Sequence, residues 1–220
     1  MFTFDKSNGG HSNLIQAIVS LGNHQFATGS QDYSVTISFS CKNWINQKRN
    51  ANLKCLKFEL FKIKIWDTSI CKLLHSFDSS NGGHTNAITA LASMGDGSNL
   101  LASGSSDSTV KIWDLSMGAL KYSFDSSNGG HSNLVSALVW CSNDLIASGS
   151  YDSSVRIWDV KSGELKAVFN SGQDHQIRFL TLIDQGLLAS VSFDSSVELW
   201  AIPSNQPTTQ TTLPVTTTSG

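Results

Sequence analysis

Residues 77–123 read FDSSNGGHTNAITALASMGDGSNLLASGSSDSTVKIWDLSMGALKYS, and residues 124–168 return in closely similar form as FDSSNGGHSNLVSALVWCSNDLIASGSYDSSVRIWDVKSGELKAV. The step from Phe77 to Phe124 is 47 residues, and the next step, to Phe169, is 45. A sequence that repeats itself every 40–50 residues or so is typical of propellers and other repeat architectures. The repeat therefore has to be explained before any single residue is assigned a role.

Each unit consists of short apolar runs separated by clusters of Gly, Ser, Asn and Asp. In the unit that begins at Phe77 the runs are residues 87–93, 100–105, 109–115 and 120–124. Four short strands with turn residues between them predict an antiparallel meander. One such sheet has two apolar faces, and several sheets stacked around an axis bury both. We therefore predict an all-β propeller of four-stranded antiparallel blades.

The GGH near the start of the units and the IWD near their end resemble the signature of WD40 repeats. Four units can be counted by a His, a Ser, an Asp and a Trp. The four sets are His11, Ser30, Asp32 and Trp66; His84, Ser105, Asp107 and Trp113; His131, Ser150, Asp152 and Trp158; and His175, Ser192, Asp194 and Trp200. The resemblance implies that each set is a buried hydrogen-bonded tetrad that holds one blade together, rather than a catalytic triad.

The resemblance covers residues 1–202. Repeat 1 extends over about residues 4–76, repeat 2 over 77–123, repeat 3 over 124–168 and repeat 4 over 169–202. Residues 203–220 contain all three prolines of the chain and many threonines, a composition that predicts a disordered tail. Since WD40 rings generally have more than four blades, we expect an incomplete, open ring. The chain would then be a fragment of a longer gene, or would self-associate through its open end blades.

Repeat 1 contains an additional segment. The spacing from Asp to Trp is six residues in the other three repeats, but 34 residues separate Asp32 from Trp66. Removal of residues 35–62 leaves QDYSIKIWD, which matches SDSTVKIWD in repeat 2. The removed segment has no Gly, Pro or Asp, and 14 of its 28 residues are Phe, Ile, Asn or Lys, which A/T-rich codons encode. We interpret it as an unspliced in-frame intron; the alternative is a genuine long loop.

Composition and charge exclude several classes of function. Outside residues 35–62 the chain has 9 basic and 16 acidic residues, a balance that argues against a nucleic-acid partner. There is no run of about eighteen apolar residues, so we expect no membrane partner. The four cysteines form no CxxC pair and no secretory signal precedes them, so we expect a cytoplasmic protein. No motif predicts a catalytic residue, a cofactor or a metal.

The remaining expectation is a surface for binding other proteins or peptides. In WD40 proteins partners often bind the face that carries the loops holding the His and the Asp. The candidate residues there are Leu134, Tyr151, Arg178, Leu180 and Phe193, the mixture of apolar, aromatic and Arg side chains found in binding hot spots. We therefore expect a non-catalytic scaffold or adaptor. The alternative is a sensor or substrate-recognition module of a larger regulator, such as a ubiquitin-ligase receptor or a nucleotide-switch protein.

Overall fold

The computed structural model describes residues 2–3, 15–22, 25–30, 38–39, 62–67, 69, 72–94, 99–141, 144–172, 175–184 and 186–203. Regular structure in these ranges consists of strands, apart from two short 3₁₀ turns at Ser79–Asn81 and Ser126–Asn128. None of their helical turns is long and apolar enough to cross a membrane. The predicted all-β class is therefore confirmed.

Blade 1 consists of β2 (Ile15–Gly22), β3 (Gln25–Ser30), β5 (Ile63–Asp67) and β6 (Lys72–Phe77). Blade 2 consists of β7 (Ile88–Ser93), β8 (Leu100–Ser105), β9 (Val110–Asp114) and β10 (Ala119–Phe124). Blade 3 consists of β11 (Val135–Trp140), β12 (Leu145–Ser150), β13 (Ser154–Asp159) and β14 (Glu164–Asn170). Blade 4 has three described strands, β15 (Ile177–Asp184), β16 (Leu187–Ser192) and β17 (Val197–Ala201). A separate ladder pairs β1 (Phe2–Thr3) with β4 (Ser38–Phe39).

The four blades stand side by side, and their first strands line the axis. β7 contacts β2 on one side and β11 on the other, and β11 in turn contacts β15. Each blade thus has a rear face toward the preceding blade and a forward face toward the following one. The predicted propeller with an open ring is confirmed.

The core lies between the blades. The ring of Trp113 stacks on Phe77 of the preceding blade at 4.4 Å between centroids, and Trp158 stacks on Phe124 in the same way at 4.3 Å. Around these rings the forward face of one blade contributes small and β-branched residues, and the rear face of the next contributes Leu, Ile and Trp. Burial of both faces of each sheet is what makes the stack stable.

The additional segment of repeat 1 interrupts blade 1 without changing its strand pairing. β3 pairs directly with β5, and Gly29 lies opposite Ile63. The predicted insertion, residues 35–62, lies outside the described residues except for the strand Ser38–Phe39 and Lys62. Its origin as a retained intron remains a hypothesis. The predicted tail, residues 203–220, also lies outside them after Pro203.

Candidate functional site

The tetrad of blade 2 is a continuous chain of hydrogen bonds between buried side chains. Trp113 Nε1 donates to Ser103 Oγ at 2.8 Å, and this hydroxyl lies 2.7 Å from His84 Nε2. His84 Nδ1 lies 3.0 Å from Asp107 Oδ2. Blade 3 repeats the chain with distances of 2.8, 2.7 and 2.9 Å. Its members are Trp158, Ser148, His131 and Asp152.

The serine of each tetrad is not the predicted one. Ser105 Oγ instead donates to the carbonyl of Asn86 at 3.0 Å and accepts the N–H of Asp107 at 3.1 Å, so it holds the loop. Ser150 has the corresponding role in blade 3. The hydroxyl within reach of the indole is two residues earlier on the same face of the strand. The residues that accept the indole N–H are Thr28, Ser103, Ser148 and Ser190, in place of Ser30, Ser105, Ser150 and Ser192.

The two end blades contain parts of the same arrangement. In blade 1 Trp66 Nε1 donates to Thr28 Oγ1 at 3.2 Å, and the predicted His11 and Asp32 lie outside the described residues. In blade 4 Trp200 Nε1 donates to Ser190 Oγ at 2.9 Å. The His175 side chain there is 35% exposed, against 0% for the corresponding side chains of blades 2 and 3, although it keeps a 3.2 Å contact with its aspartate. The blade 4 tetrad is therefore open to solvent.

Burial and hydrogen bonding have opposite effects on the pKa values of the His and the Asp in the tetrads of blades 2 and 3. Burial lowers the pKa of His84 and of His131, although their aspartates oppose this effect. Burial alone would raise the pKa of Asp107, but hydrogen bonds from His84 and Thr109 outweigh it and hold that pKa well below its usual range. The same balance holds the pKa of Asp152 low. In blades 2 and 3 these shifts favour a neutral imidazole, which donates from Nδ1 to an ionised carboxylate.

We expect the chain to lose stability as the pH falls below about 6.5, the ordinary pKa of histidine. His84 and His131 resist protonation in the fold but take up protons when the chain unfolds, so acid favours the unfolded state. Below about pH 4 the lowered pKa values of Asp107 and Asp152 add to the loss, because both aspartates then bind protons more readily unfolded. Urea midpoints measured between about pH 8 and pH 4 test this, and equal midpoints at pH 8 and pH 5 would contradict it.

The serines of the blade 2 and blade 3 tetrads are closed off from solvent. Ser103 and Ser148 are fully buried, and each hydroxyl is engaged by both an indole and an imidazole, so neither is accessible to a substrate. Among the described residues, no group of three or more His, Cys, Asp or Glu side chains is placed to hold a metal ion. What the tetrads do is fix the loops that carry His and Asp, and with them the residues that precede each Asp.

Three of the five predicted binding residues meet on one surface across blades 3 and 4. Tyr151 and Phe193 precede the aspartates of their loops, and their rings pack edge to face at 5.3 Å. The guanidinium of Arg178 lies over the Phe193 ring at 5.3 Å from its centroid. It also lies over the ring of Phe179 at 5.2 Å, a residue that sequence reasoning missed. Phe193 is 51% exposed and Phe179 is 57% exposed, so the rings face solvent.

The other two predicted binding residues lie elsewhere. Leu134 is half-buried beside the surface, and its carbonyl accepts the N–H of Tyr151 at 2.9 Å. Leu180 packs into the core between blades 3 and 4, where it lies about 3.2 Å from a Cβ built on Gly149. The prediction placed Leu180 on the surface by its sequence distance from His175. That distance is misleading, because the segment between His175 and the first strand of blade 4 is two residues shorter than the corresponding segments of blades 2 and 3.

Backbone bonds confirm this difference in register. In blades 2, 3 and 4 the residue before the loop aspartate donates its N–H to the carbonyl of the residue before the first strand. In blade 3 that acceptor is Leu134, and in blade 4 it is Gln176, whose carbonyl accepts the N–H of Phe193 at 3.1 Å. Arg178 therefore corresponds to Ser136 of blade 3. It reaches the surface because its long side chain extends from the first strand over the two Phe rings.

Comparisons with known proteins agree with this geometry. The family model for "WD domain, G-beta repeat" matches residues 71–114 and 120–159. No curated protein sequence matches the chain. The crystal structure of the computationally designed Ika4 protein aligns with a TM-score of 0.65 and 24% identity, over 89% of this chain and 96% of that one.

Two further solved structures are similar. The structure of U3-55K aligns with a TM-score of 0.68 and 22% identity, over 88% of this chain and 50% of that one. The crystal structure of RRP9 WD40 repeats aligns with a TM-score of 0.68 and 20% identity, over 92% of this chain and 53% of that one. At these identities the likeness is one of fold. The chain spans about half the length of both these proteins.

Proposed function

We propose that this chain, in which residues 71–114 and 120–159 match the WD40-repeat model, is a non-catalytic platform that binds other proteins or peptides. The binding surface would be formed by Tyr151, Arg178, Phe179 and Phe193. WD40 folds generally serve as protein-interaction scaffolds. The observation that carries the proposal is the exposure of Phe179, Phe193 and Arg178 beside the half-buried ring of Tyr151. They lie on the face that the tetrad loops define.

The chemistry of this surface suits an apolar side chain followed by a carboxylate. Exposed aromatic rings give up little conformational entropy when they bind, and they bury a large apolar area. The guanidinium of Arg178 lies over two rings, at 5.2 and 5.3 Å from their centroids. A guanidinium carries a planar fork of N–H donors, from which a carboxylate can accept two hydrogen bonds. We therefore expect the partner to present an acidic segment with an adjacent aliphatic or aromatic residue.

The proposal predicts that the double substitution Tyr151→Ala and Phe193→Ala abolishes partner capture without unfolding the chain. The edge-to-face pair is removed, and Arg178 loses one of the two rings over which it lies. The measurement is affinity capture from an extract of the source cells, with the bound proteins identified for each variant. Arg178→Lys should weaken capture less than Arg178→Ala, because lysine keeps the charge but not the planar pair of donors.

Met117→Ala provides the control, because Met117 is also a large exposed side chain but lies in a turn of blade 2. Proteins that bind this surface are lost with the double substitution and retained with Met117→Ala. If both variants capture the same proteins as the unaltered chain, the proposed surface is not the binding site.

The alternative function is that of a recognition module within a larger regulator. Such a module would use the same surface and would differ from a scaffold only in the domains to which it is joined. We also propose that the chain self-associates through an end blade and that it is cytoplasmic.

Cys141 is a buried free thiol, and burial raises its pKa to about 11, so it stays protonated and unreactive. A buried thiol of this kind is ordinary in a reducing compartment.

A further inference from the structure

The loops that join blade 1 to blade 2 and blade 2 to blade 3 have the same sequence. Residues 78–83 and residues 125–130 both read DSSNGG. In each loop the residues after the Asp form a 3₁₀ turn that ends at the first Gly. Each loop then leads directly to a tetrad histidine, His84 or His131. The tetrads and the binding surface use no side chain of these loops, so a different property accounts for the repetition.

The asparagine of each loop uses both atoms of its carboxamide to hold the turn. Asn81 Oδ1 accepts the N–H of Asp78 at 2.8 Å, and Asn81 Nδ2 donates to the carbonyl of Ser76 at 2.9 Å. Asn128 makes the same two bonds in the second loop, at 2.8 and 2.8 Å. An ionised aspartate only accepts hydrogen bonds, so it could make the first bond but not the second. The turn therefore requires the amide.

The residue after each asparagine has to be glycine. Gly82 has a φ angle of 82° and Gly129 has one of 81°, in the left-handed region where glycine alone pays no steric cost. The geometry of the turn thus selects the pair Asn–Gly at the same place in both loops. This pair is chemically labile, because asparagine is a thermolabile residue and glycine has no side chain to shield its nitrogen.

An Asn–Gly pair can rearrange without an enzyme. The backbone nitrogen of the glycine attacks Cγ of the asparagine, an N–Cγ bond forms, and the amide nitrogen leaves as ammonia with the proton of the glycine N–H. The product is a cyclic imide. Water then opens the ring at either carbonyl and leaves aspartate or isoaspartate. The net change is the uptake of water and the loss of ammonia, with no oxidation or reduction.

The closed loop opposes this attack. The glycine nitrogen follows the asparagine along the chain, whereas both hydrogen bonds of the carboxamide are to backbone groups that precede it. The carboxamide must give up both bonds before Cγ can turn toward the nitrogen. The turn must also open, because Asn81 N–H and Gly83 N–H both donate to the carbonyl of Asp78, at 3.1 and 2.7 Å. The reaction therefore needs an open loop.

One tryptophan holds both ends of each loop. Phe77, which precedes the first loop, stacks on Trp113 at 4.4 Å between ring centroids. His84, which follows that loop, shares the hydroxyl of Ser103 with the same Trp113. Trp158 holds the second loop in the same way, through the residues at the corresponding positions. Loss of one tryptophan should therefore free one loop and leave the other in place.

We propose that Asn81 and Asn128 are modification sites, which deamidate when the blade junction next to each of them opens. While a junction is closed, the fold protects its asparagine. When the junction opens, the carboxamide is free to turn, and water is the only other reactant needed. The pair Asn–Gly also occurs at residues 8–9, which lie outside the described residues. The proposal does not depend on the proposed binding surface.

The product would not fit the closed loop. An aspartate at position 81 would direct an oxygen, in place of the amide N–H, at the carbonyl of Ser76, and two acceptors repel each other. Isoaspartate would add a methylene group to the backbone, so the two bonds to the carbonyl of Asp78 could not both form. Deamidation would therefore mark copies that have opened and would prevent the loop from closing as before.

Peptide mapping by mass spectrometry tests the proposal on the unaltered 220-residue chain. The chain is kept at mildly alkaline pH, either folded or unfolded in guanidinium chloride. Conversion of Asn81 and Asn128 should be about tenfold or more slower in the folded chain. Asn133 is the internal control, because Leu134 shields its following nitrogen and conversion should be slow in both states. Equal rates in the two states, or no conversion in the unfolded chain, overturn the proposal.

A pair of variants tests whether the junctions open separately. Trp113→Ala should speed conversion of Asn81 more than that of Asn128, and Trp158→Ala should do the reverse, so each variant is the control for the other. The measurement is the same peptide mapping under folding conditions. If each variant speeds both sites alike, separate opening of the junctions is overturned.

The effect of the product is tested with Asn81→Asp. We expect a lower urea midpoint than for the unaltered chain, because the bond to Ser76 becomes a repulsion. Asn86→Asp is the matched control, with the same change of charge at an exposed residue close by. Asn86 Oδ1 accepts the N–H of Ala87 at 2.8 Å, a bond that aspartate keeps, so its midpoint should not change. Equal midpoints for both variants would overturn the claim that deamidation prevents closure.

Discussion

Replacement of Trp158 with alanine should lower the free energy of unfolding by about 3–5 kcal/mol. The indole is fully buried, stacks on Phe124 of the preceding blade at 4.3 Å and donates its N–H to Ser148. The substitution therefore opens a cavity between blades 2 and 3 and leaves the serine with one partner fewer. Urea unfolding followed by far-UV circular dichroism measures the loss. A decrease below about 1 kcal/mol would contradict the structural role of the tetrad.

A comparison of two serines isolates the polar part of this effect. Ser148→Ala leaves the indole N–H of Trp158 and the Nε2 atom of His131 without their shared partner, which should cost about 1–3 kcal/mol. Ser150→Ala should cost less, because its two partners, the carbonyl of Asn133 and the N–H of Asp152, are backbone groups of a loop where Asn133 is exposed and water can replace the hydroxyl. A greater loss with Ser150→Ala would restore the sequence-predicted serine to the tetrad.

Gly149→Val should detach blade 4 from blade 3. The new side chain would begin 2.5 Å from Ile177 Cγ2 and 3.2 Å from Leu180, in a contact that has no room for it. Overpacking of this kind costs about 1–3 kcal/mol and occasionally more, and here it acts at the junction between the two blades. Hydrogen exchange should show faster exchange of the amides in Ile177–Asp184, while blades 1 and 2 keep their protection.

Val191→Gly is the matched control, because it makes the reverse change at the same position of blade 4. The forward face of blade 4 is open, so the substitution relieves no clash and removes only a half-buried side chain. We expect a loss of about 0.5–1 kcal/mol from the flexibility of glycine in a strand. Normal protection of blade 4 in Gly149→Val would mean that the close contact of Gly149 with Ile177 does not govern how blades dock.

Patterns with a regular period could be predicted from the sequence. The repeat of 45–47 residues, the four strands of blades 1, 2 and 3 and the turns between them follow from apolar runs and turn residues that recur along the chain. The displaced third strand of blade 1 was also predicted, since Ile63 follows the segment 35–62 and pairs with Gly29. Period and composition are local properties, so a single sequence displays them directly.

The serine of the tetrad could not be predicted by counting. Ser103 and Ser105 lie on the same face of β8, and both stand at constant distances from the tryptophan in blades 2 and 3. Which hydroxyl meets the indole depends on how β8 pairs with β9, where Ser103 lies opposite Lys111. Strand register is a tertiary property, and a constant spacing cannot distinguish two residues that share it.

The exposed surfaces depend on tertiary structure in the same way. Sequence distance from His175 predicted that Leu180 lies on the binding surface. Strand pairing instead places Leu180 in the core and brings Phe179 beneath Arg178. The sequence by itself determined that this chain is a stack of four similar blades, because each blade is encoded locally. Only the tertiary structure decided which side chains meet across blades. It also decided that the forward face of blade 4 differs from the others. Neither could be predicted, because a contact between strands of different blades has no fixed spacing along the chain.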